Sequence, residues 1–319
     1  MNTNCLNPIS LSGKSCLISL LTLGALASSL SATILLEDSF DYAVGSNLAG
    51  NSGGTGFSSS WSLGGGVQAT VSNGLAFSGL YTSGGSALIT SSSGAATLLN
   101  RTSGTNVTTS TVYGSFLFQT EDQPIDSASG QTGSTWTTRF RNGSSSGTLE
   151  YAVLPFYGGN SSYYNGLSAS GYNDYYYSNT SAAVRPGIYD GSTYLFVTKI
   201  TGLSTGSGTL EVWILDESGL AAARAAGMTD TALTTNVVSD GYLNVSYTGT
   251  ISLSSGDVLQ LASYTSSNSA YSSSYIMDEI RYGESLTDVT PLPEPAVTGL
   301  LLGISVSALL LRRVQRRRR

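Results

Sequence analysis

The chain has 319 residues, of which 11% are charged and none is histidine. Without histidine there is no Ser-His-Asp hydrolase, no Cys-His protease and no His-ligated zinc or iron site. The formal charge of −6 conceals a more acidic body, because all 20 acidic residues but only 7 of the 14 basic ones lie between Thr33 and Pro295, giving that stretch −13. Such a surface repels phosphate and excludes nucleic acid as a partner.

Taken from the N-terminus, the first element is an export signal over residues 1–32. Lys14 is the one charge before Glu37 and precedes an apolar stretch, Leu17 to Leu26, that is followed by small residues. Cleavage after Ala27 or near Ala32 fits this pattern, and a retained N-terminal membrane helix is the alternative. Both cysteines, Cys5 and Cys16, fall in this segment. The processed chain therefore has no disulfide to stabilise it.

From Thr33 onward, runs rich in Val, Ile, Leu, Tyr and Thr are bounded by Gly, Ser and Asn. They predict strands at Val67–Val71, Thr111–Gln119, Trp136–Arg141, Leu149–Phe156, Tyr194–Thr201, Thr209–Leu215, Leu243–Thr248, Val258–Ser263 and Tyr275–Tyr282. In Thr209–Leu215, Leu210, Val212 and Ile214 fall on one face and Glu211, Trp213 and Leu215 on the other. With both faces largely apolar, that strand belongs inside a sandwich or under a loop. Leu220 to Met228 is the one Ala-rich stretch and reads as a short helix in a loop. About 260 residues suffice for one sizeable all-β core. The expected fold is an antiparallel jelly-roll β-sandwich over 33–284, with a short linker at 285–292.

Three stretches resemble bacterial laminin-G-like or concanavalin-A-like ectodomains. They are Glu37 to Tyr42 with Asn51 to Phe57 and Trp61; Tyr194 to Thr201 with Leu210 to Trp213; and Met277 to Gly283 running into Asp288 to Pro291. The resemblance implies an opening strand, a central hairpin and a closing strand, and no one ligand. It also implies that the opening and closing strands lie side by side. Asp38 and Asp278 would meet there and, with backbone carbonyls, hold a structural calcium ion; alternatively they bond to turns or to Arg281.

Relatives of that fold include glycoside hydrolases, and retaining hydrolysis needs two carboxyl groups facing one cleft, at i and i+2 or i+4 of a strand. No such alternation occurs. Asp216-Glu217 and Asp278-Glu279 are adjacent pairs, and Glu121, Asp122 and Asp126 cluster in a loop. The reading is non-catalytic, with no catalytic residue assigned. Tyr163, Tyr164, Tyr172, Tyr175, Tyr176 and Tyr177, set among Gly, Asn and Ser, suit stacking on sugar rings or, equally, ordinary exposed strands and loops. Trp61, Trp136 and Trp213 read as core.

The last element is the tail, residues 293–319. Pro293, Glu294 and Pro295 precede an uncharged apolar helix, Ala296 to Leu311, and then Arg312, Arg313, Arg316, Arg317, Arg318 and Arg319. Sixteen residues span roughly 24 Å as a helix, a short transmembrane segment. Arginines at the bilayer centre cost about 2.5–3.5 kcal/mol each, so the six stay cytoplasmic and the N-terminus lies outside. A plain membrane anchor is one reading. The order of the three parts resembles the PEP-CTERM sorting signal of bacterial exported proteins. That resemblance implies processing by an exosortase-type enzyme and delivery to the cell envelope, outer surface or an exopolysaccharide matrix. The expected role is that of a polysaccharide-associated envelope or matrix protein; the alternatives are a glycan-active hydrolase or lyase on the same fold, and a purely structural adhesion component.

Overall fold

In the computed structural model the described residues are 33–64, 69–91, 96–121, 134–141, 148–158, 162–170, 191–239, 241–248, 253–265 and 273–292. They form fourteen strands: β1 Ile34–Asp38, β2 Ser62–Gly64, β3 Ala69–Asn73, β4 Gly85–Ser91, β5 Ala96–Thr102, β6 Thr111–Glu121, β7 Ser134–Arg141, β8 Thr148–Gly158, β9 Ser162–Ser170, β10 Thr193–Thr201, β11 Ser207–Leu215, β12 Tyr242–Thr248, β13 Val258–Thr265 and β14 Ser273–Gly283. Three short helices join them: α1 Glu217–Ala225, α2 Asp230–Thr235 and α3 Leu286–Val289.

Every strand pair is antiparallel. One sheet has eight strands in the order β12-β11-β10-β6-β14-β4-β3, with β1 also paired to β14; the other has six in the order β2-β5-β13-β7-β8-β9. All nine strands read from the alternation are present. The central hairpin β10–β11 and the side-by-side opening and closing strands are present as well.

Two cores follow from period-two alternation in the eight-stranded sheet. On its inner face Phe116, Phe118, Phe196, Leu210, Val212, Ile214, Tyr275 and Met277 meet Leu99, Leu259 and Leu261 of the six-stranded sheet. Phe196 stacks on Phe116 at 4.9 Å between centroids and meets Phe118 edge-on at 5.5 Å. This is the shared core of a sandwich. On the outer face Leu117, Leu195, Val197, Trp213, Leu215 and Ile276 pack under Leu75, Phe77 and Leu80, the residues Leu220 and Ala223 of α1, and Ala232 and Leu233 of α2. Both faces of this sheet are therefore covered, which explains why Thr209–Leu215 is apolar on both sides.

The helix starts are chemically marked. Asp216 accepts from the Gly219 N–H at the start of α1, and Thr229 from the Ala232 N–H at the start of α2. Ser285 and Asp288 form a reciprocal capping box on α3. This last helix corrects the expected linker: its Leu286 and Val289 are buried in the outer core, so the chain is still part of the fold at that point. Residues 1–32 and the tail 293–319 lie outside the described residues. Among the described residues no helix is long and apolar enough to cross a membrane.

The glycines of the opening segment have a steric reason. Thr55 bridges to Glu37 through two backbone hydrogen bonds of 2.8 and 3.0 Å. Its neighbours Gly54 and Gly56 sit at φ +66° and +77°, where a methyl group would overlap the carbonyl oxygens of Glu37 and Leu35. No side chain fits so close to β1.

Candidate functional site

β14 changes neighbours along one edge. Residues Ser273 to Met277 pair with β4, and Ile280 to Gly283 pair with β1. At the changeover the pairing with β6 slips by one residue between Asp278 and Arg281, a bulge with Glu279 at φ +53°. Phe40, just past β1, is also left-handed at φ +52°. The strand ends so created place two buried charge groups here.

The first is built on Asp38, which is 1% exposed. Its Oδ1 accepts from the Phe40 N–H at 2.8 Å. Its Oδ2 accepts from Trp61 Nε1 at 2.8 Å, from the Tyr42 hydroxyl at 2.9 Å and from the Arg101 guanidinium. Arg101, equally buried on β5, also donates to the carbonyls of Ser59 and Gly53, and its guanidinium lies 4.1 Å from the Phe57 ring centroid. Burial, then the negative field of Asp38, pushes the Tyr42 hydroxyl up to about 12. One ion pair thus ties the opening strand of the eight-stranded sheet to the six-stranded sheet.

The second group lies on β14. Arg281 donates from Nε to Glu37 at 3.0 Å and from its terminal nitrogen to Glu279. Glu279 also accepts from the Ser83 N–H, and burial raises its pKa above the usual carboxylate range. Asp278 accepts from the N–H groups of Leu75 and Glu279, each at 2.7 Å. Burial pushes it up to about 8, so at neutral pH it is mostly a neutral acid.

This geometry bears on the expected calcium site. Asp38 and Asp278 do lie on adjacent strands, Asp278 two residues from Ile280, the register partner of Asp38. Yet the groups that both carboxyls contact are N–H and O–H donors, with the Arg101 guanidinium beside Asp38. A cation needs six to eight oxygen ligands, and no cluster of three or more ligating side chains occurs among the described residues. The contacts of the two carboxyls follow the alternative, in which they bond to turns and to arginine, though Asp38 finds Arg101 and not Arg281. The adjacent acid pairs are also in structural use. Asp216 caps α1, and Glu217 accepts from the Ser78 N–H at 2.7 Å.

The tyrosines are divided. Tyr163 and Tyr164 are on β9, opposite Tyr157 and Phe156 of β8. Tyr172, Tyr175, Tyr176 and Tyr177 lie outside the described residues, as do Pro293, Glu294, Pro295 and the six tail arginines. Trp61 and Trp213 are core, as expected.

The register of the smaller sheet exposes a pattern that reading along the chain missed. Ser62, Asn100, Gln260, Arg139, Glu150 and Ser170 are register partners in one row over all six strands of the smaller sheet, and Ser62, Asn100 and Gln260 lie on the face away from the core. Thr102, Val258, Arg141 and Thr148 form the next row. At about 4.8 Å per strand the first row is roughly 24 Å long. Gln260 is 1% exposed and its Nε2 donates to Asn100 Oδ1 at 2.5 Å. The described side chains of this row are polar, whereas the outer face of the other sheet is an apolar bed under helices.

No family model matches the chain, and no curated protein matches it. Among solved structures it aligns with the Emp47p carbohydrate recognition domain at 13% identity and TM-score 0.43, over 81% of this chain and 99% of that one. An endo-beta-1,4-glucuronan lyase from the fungus Trichoderma reesei aligns at 11% identity and TM-score 0.39, over 74% and 94%. Lectin II from Ulex europaeus aligns at 10% and 0.39, over 79% and 99%. At this level of likeness no site residue carries across.

Proposed function

We propose that this chain is an exported, non-catalytic β-sandwich of the cell envelope or extracellular matrix, sorted through its C-terminal tail and associated with secreted polysaccharide. The observation that carries the binding part is the contrast between the two outer faces. One sheet is covered by apolar packing on both sides, while the other sets the exposed Ser62 and the half-buried Asn100 side by side on its face away from the core, hydroxyl and amide groups of the kind that hydrogen-bond sugar hydroxyls. The sorting part rests on Pro293-Glu294-Pro295, the apolar run and the arginine cluster. The assigned acids serve as caps and ion-pair partners, which supports a binding role over hydrolysis or elimination.

Fractionation of the native cells tests this. The protein is expected in the envelope or matrix fraction, co-sedimenting with polysaccharide, and C-terminal peptide mass analysis is expected to find nothing beyond the Pro293–Pro295 region. An intact Arg319 in the membrane fraction would reduce the tail to an anchor. Recovery in the matrix without polysaccharide would leave the purely structural role.

A further inference from the structure

The chain leaves the fold from the layer that covers the eight-stranded sheet. The last helix, α3, is held down on β6 by the Ser115 hydroxyl, which donates to the Val289 carbonyl at 2.5 Å. The next two carbonyls are clamped. Arg224, in the last turn of α1, donates to Thr290 at 3.0 Å, to Pro291 at 3.4 Å and to Gly79, while the Tyr81 N–H donates to Pro291 at 3.1 Å. Leu292, the residue after the clamp, is 69% exposed, and Tyr81 is 40% exposed. They are two of the three large hydrophobic residues that stay exposed among the described residues, Val44 being the third. The end of α1 exposes only small residues, Ala225, Ala226 and Gly227. Of the 20 acidic residues in the chain, none falls in 79–84, 220–229 or 289–292, the three stretches that meet at this exit. The acids at its border are engaged, Glu217 with the Ser78 N–H and Asp230 with Lys199 and Tyr113.

We infer that this layer, from Ser78–Tyr81 across the end of α1 to Leu292, rests on the lipid surface while the tail is in the membrane. The reach of the chain carries the argument. Four residues separate Leu292 from Ala296, where the apolar run begins, and four residues extend at most about 14 Å. Of that length the headgroup region takes about 5–7 Å. With Pro291 fixed to α1 and to the Tyr81 backbone, little slack is left for the body to stand off. The chemistry of the face agrees. A tyrosine suits the interface, its ring apolar and its hydroxyl able to reach water, and a face without carboxylates escapes repulsion by anionic headgroups. The opposite outer face, with Ser62 and Asn100 on the six-stranded sheet, then points away from the bilayer, toward the polysaccharide. The inference rests on the reading that Ala296 to Leu311 enters the membrane.

The test is fluorescence quenching in phosphatidylcholine vesicles that contain a spin-labelled phosphatidylcholine. The full-length chain, with Cys5→Ser and Cys16→Ser, receives one cysteine at a time through Ser78→Cys, Ala226→Cys, Ser62→Cys or Ser305→Cys, and each is labelled with the same dye. Ser78, Ala226 and Ser62 are exposed, and none of their side chains takes part in the clamp. Circular dichroism checks that each labelled chain is folded. Ser305 lies in the apolar run and reports insertion of the tail. With the dye at 305 quenched, the dyes at 78 and 226 are expected to be quenched about threefold more than the dye at 62, which lies beyond two sheets stacked about 10 Å apart. Quenching at 305 with equal quenching at 78, 226 and 62 would overturn the inference and leave the membrane reading standing. No quenching at 305 would overturn both.

Discussion

Replacing Arg101 by methionine is expected to destabilise the fold by about 3–5 kcal/mol, the range seen when one partner of a buried ion pair is removed. Arg101 and Asp38 are almost wholly inaccessible, so the substitution leaves a carboxylate in the core facing Trp61, Tyr42 and the Phe40 N–H with no counter-charge. It also strips the Gly53 and Ser59 carbonyls of a donor. The methionine keeps an apolar stem against Phe57 and Trp61, so the loss reports the ion pair together with its hydrogen bonds. Adding Asp38→Asn to the same chain removes the stranded charge, and the pair is expected to cost at least 1 kcal/mol less than the sum of the two single changes. Urea unfolding of the four chains measures this. An Arg101→Met protein within 1 kcal/mol of the parent would mean that the ion pair does not hold β1 to the six-stranded sheet.

Trp213→Ala is expected to cost a similar amount, about 3–5 kcal/mol. The ring is fully buried in the outer core, stacks on Tyr242 at 5.8 Å and donates from Nε1 to the Thr234 hydroxyl of α2 at 2.8 Å. Its removal opens a cavity beneath α1 and α2 and leaves the inter-sheet core intact. Amide exchange is therefore expected to speed up in residues 217–235 before it does so in β6 or β10, a difference read by mass spectrometry alongside the denaturation midpoint. Uniform acceleration across both cores would show that the outer layer is not a separate packing unit. Trp213→Phe, which retains a ring, is expected to cost less than half as much.

The fold was legible wherever alternation was carried by large side chains. Leu210, Val212 and Ile214 against Trp213 and Leu215 announce two apolar faces, and both cores are there. Of the strands that escaped, β2 has only three residues, and the others have little contrast between faces: GSALITS in β4, ATLLNRT in β5 and SYYNGLSAS in β9, where Ser, Gly and Thr blur the period. Helix α3 escaped although its signal was printed in the chain, Ser285 followed three residues on by Asp288, the pattern of a capping box. The site was less legible still. Asp38 and Asp278 were correctly placed on neighbouring strands, but the partner of Asp38 is Arg101, 63 residues away, and no local pattern signals a contact at that separation. The row is a property of register across six strands, most of which are not neighbours in the chain. Only the pairing brings Asn100, Gln260, Arg139 and Glu150 into line.

The claim that the outward face of the six-stranded sheet holds polysaccharide is tested most directly by hydrogen–deuterium exchange of the full-length chain, with and without exopolysaccharide from its own cells. Protection is expected in β5, β7 and β13, with β10 and β11 of the other sheet unchanged. Protection confined to the eight-stranded sheet, or none at saturating polysaccharide, would contradict it.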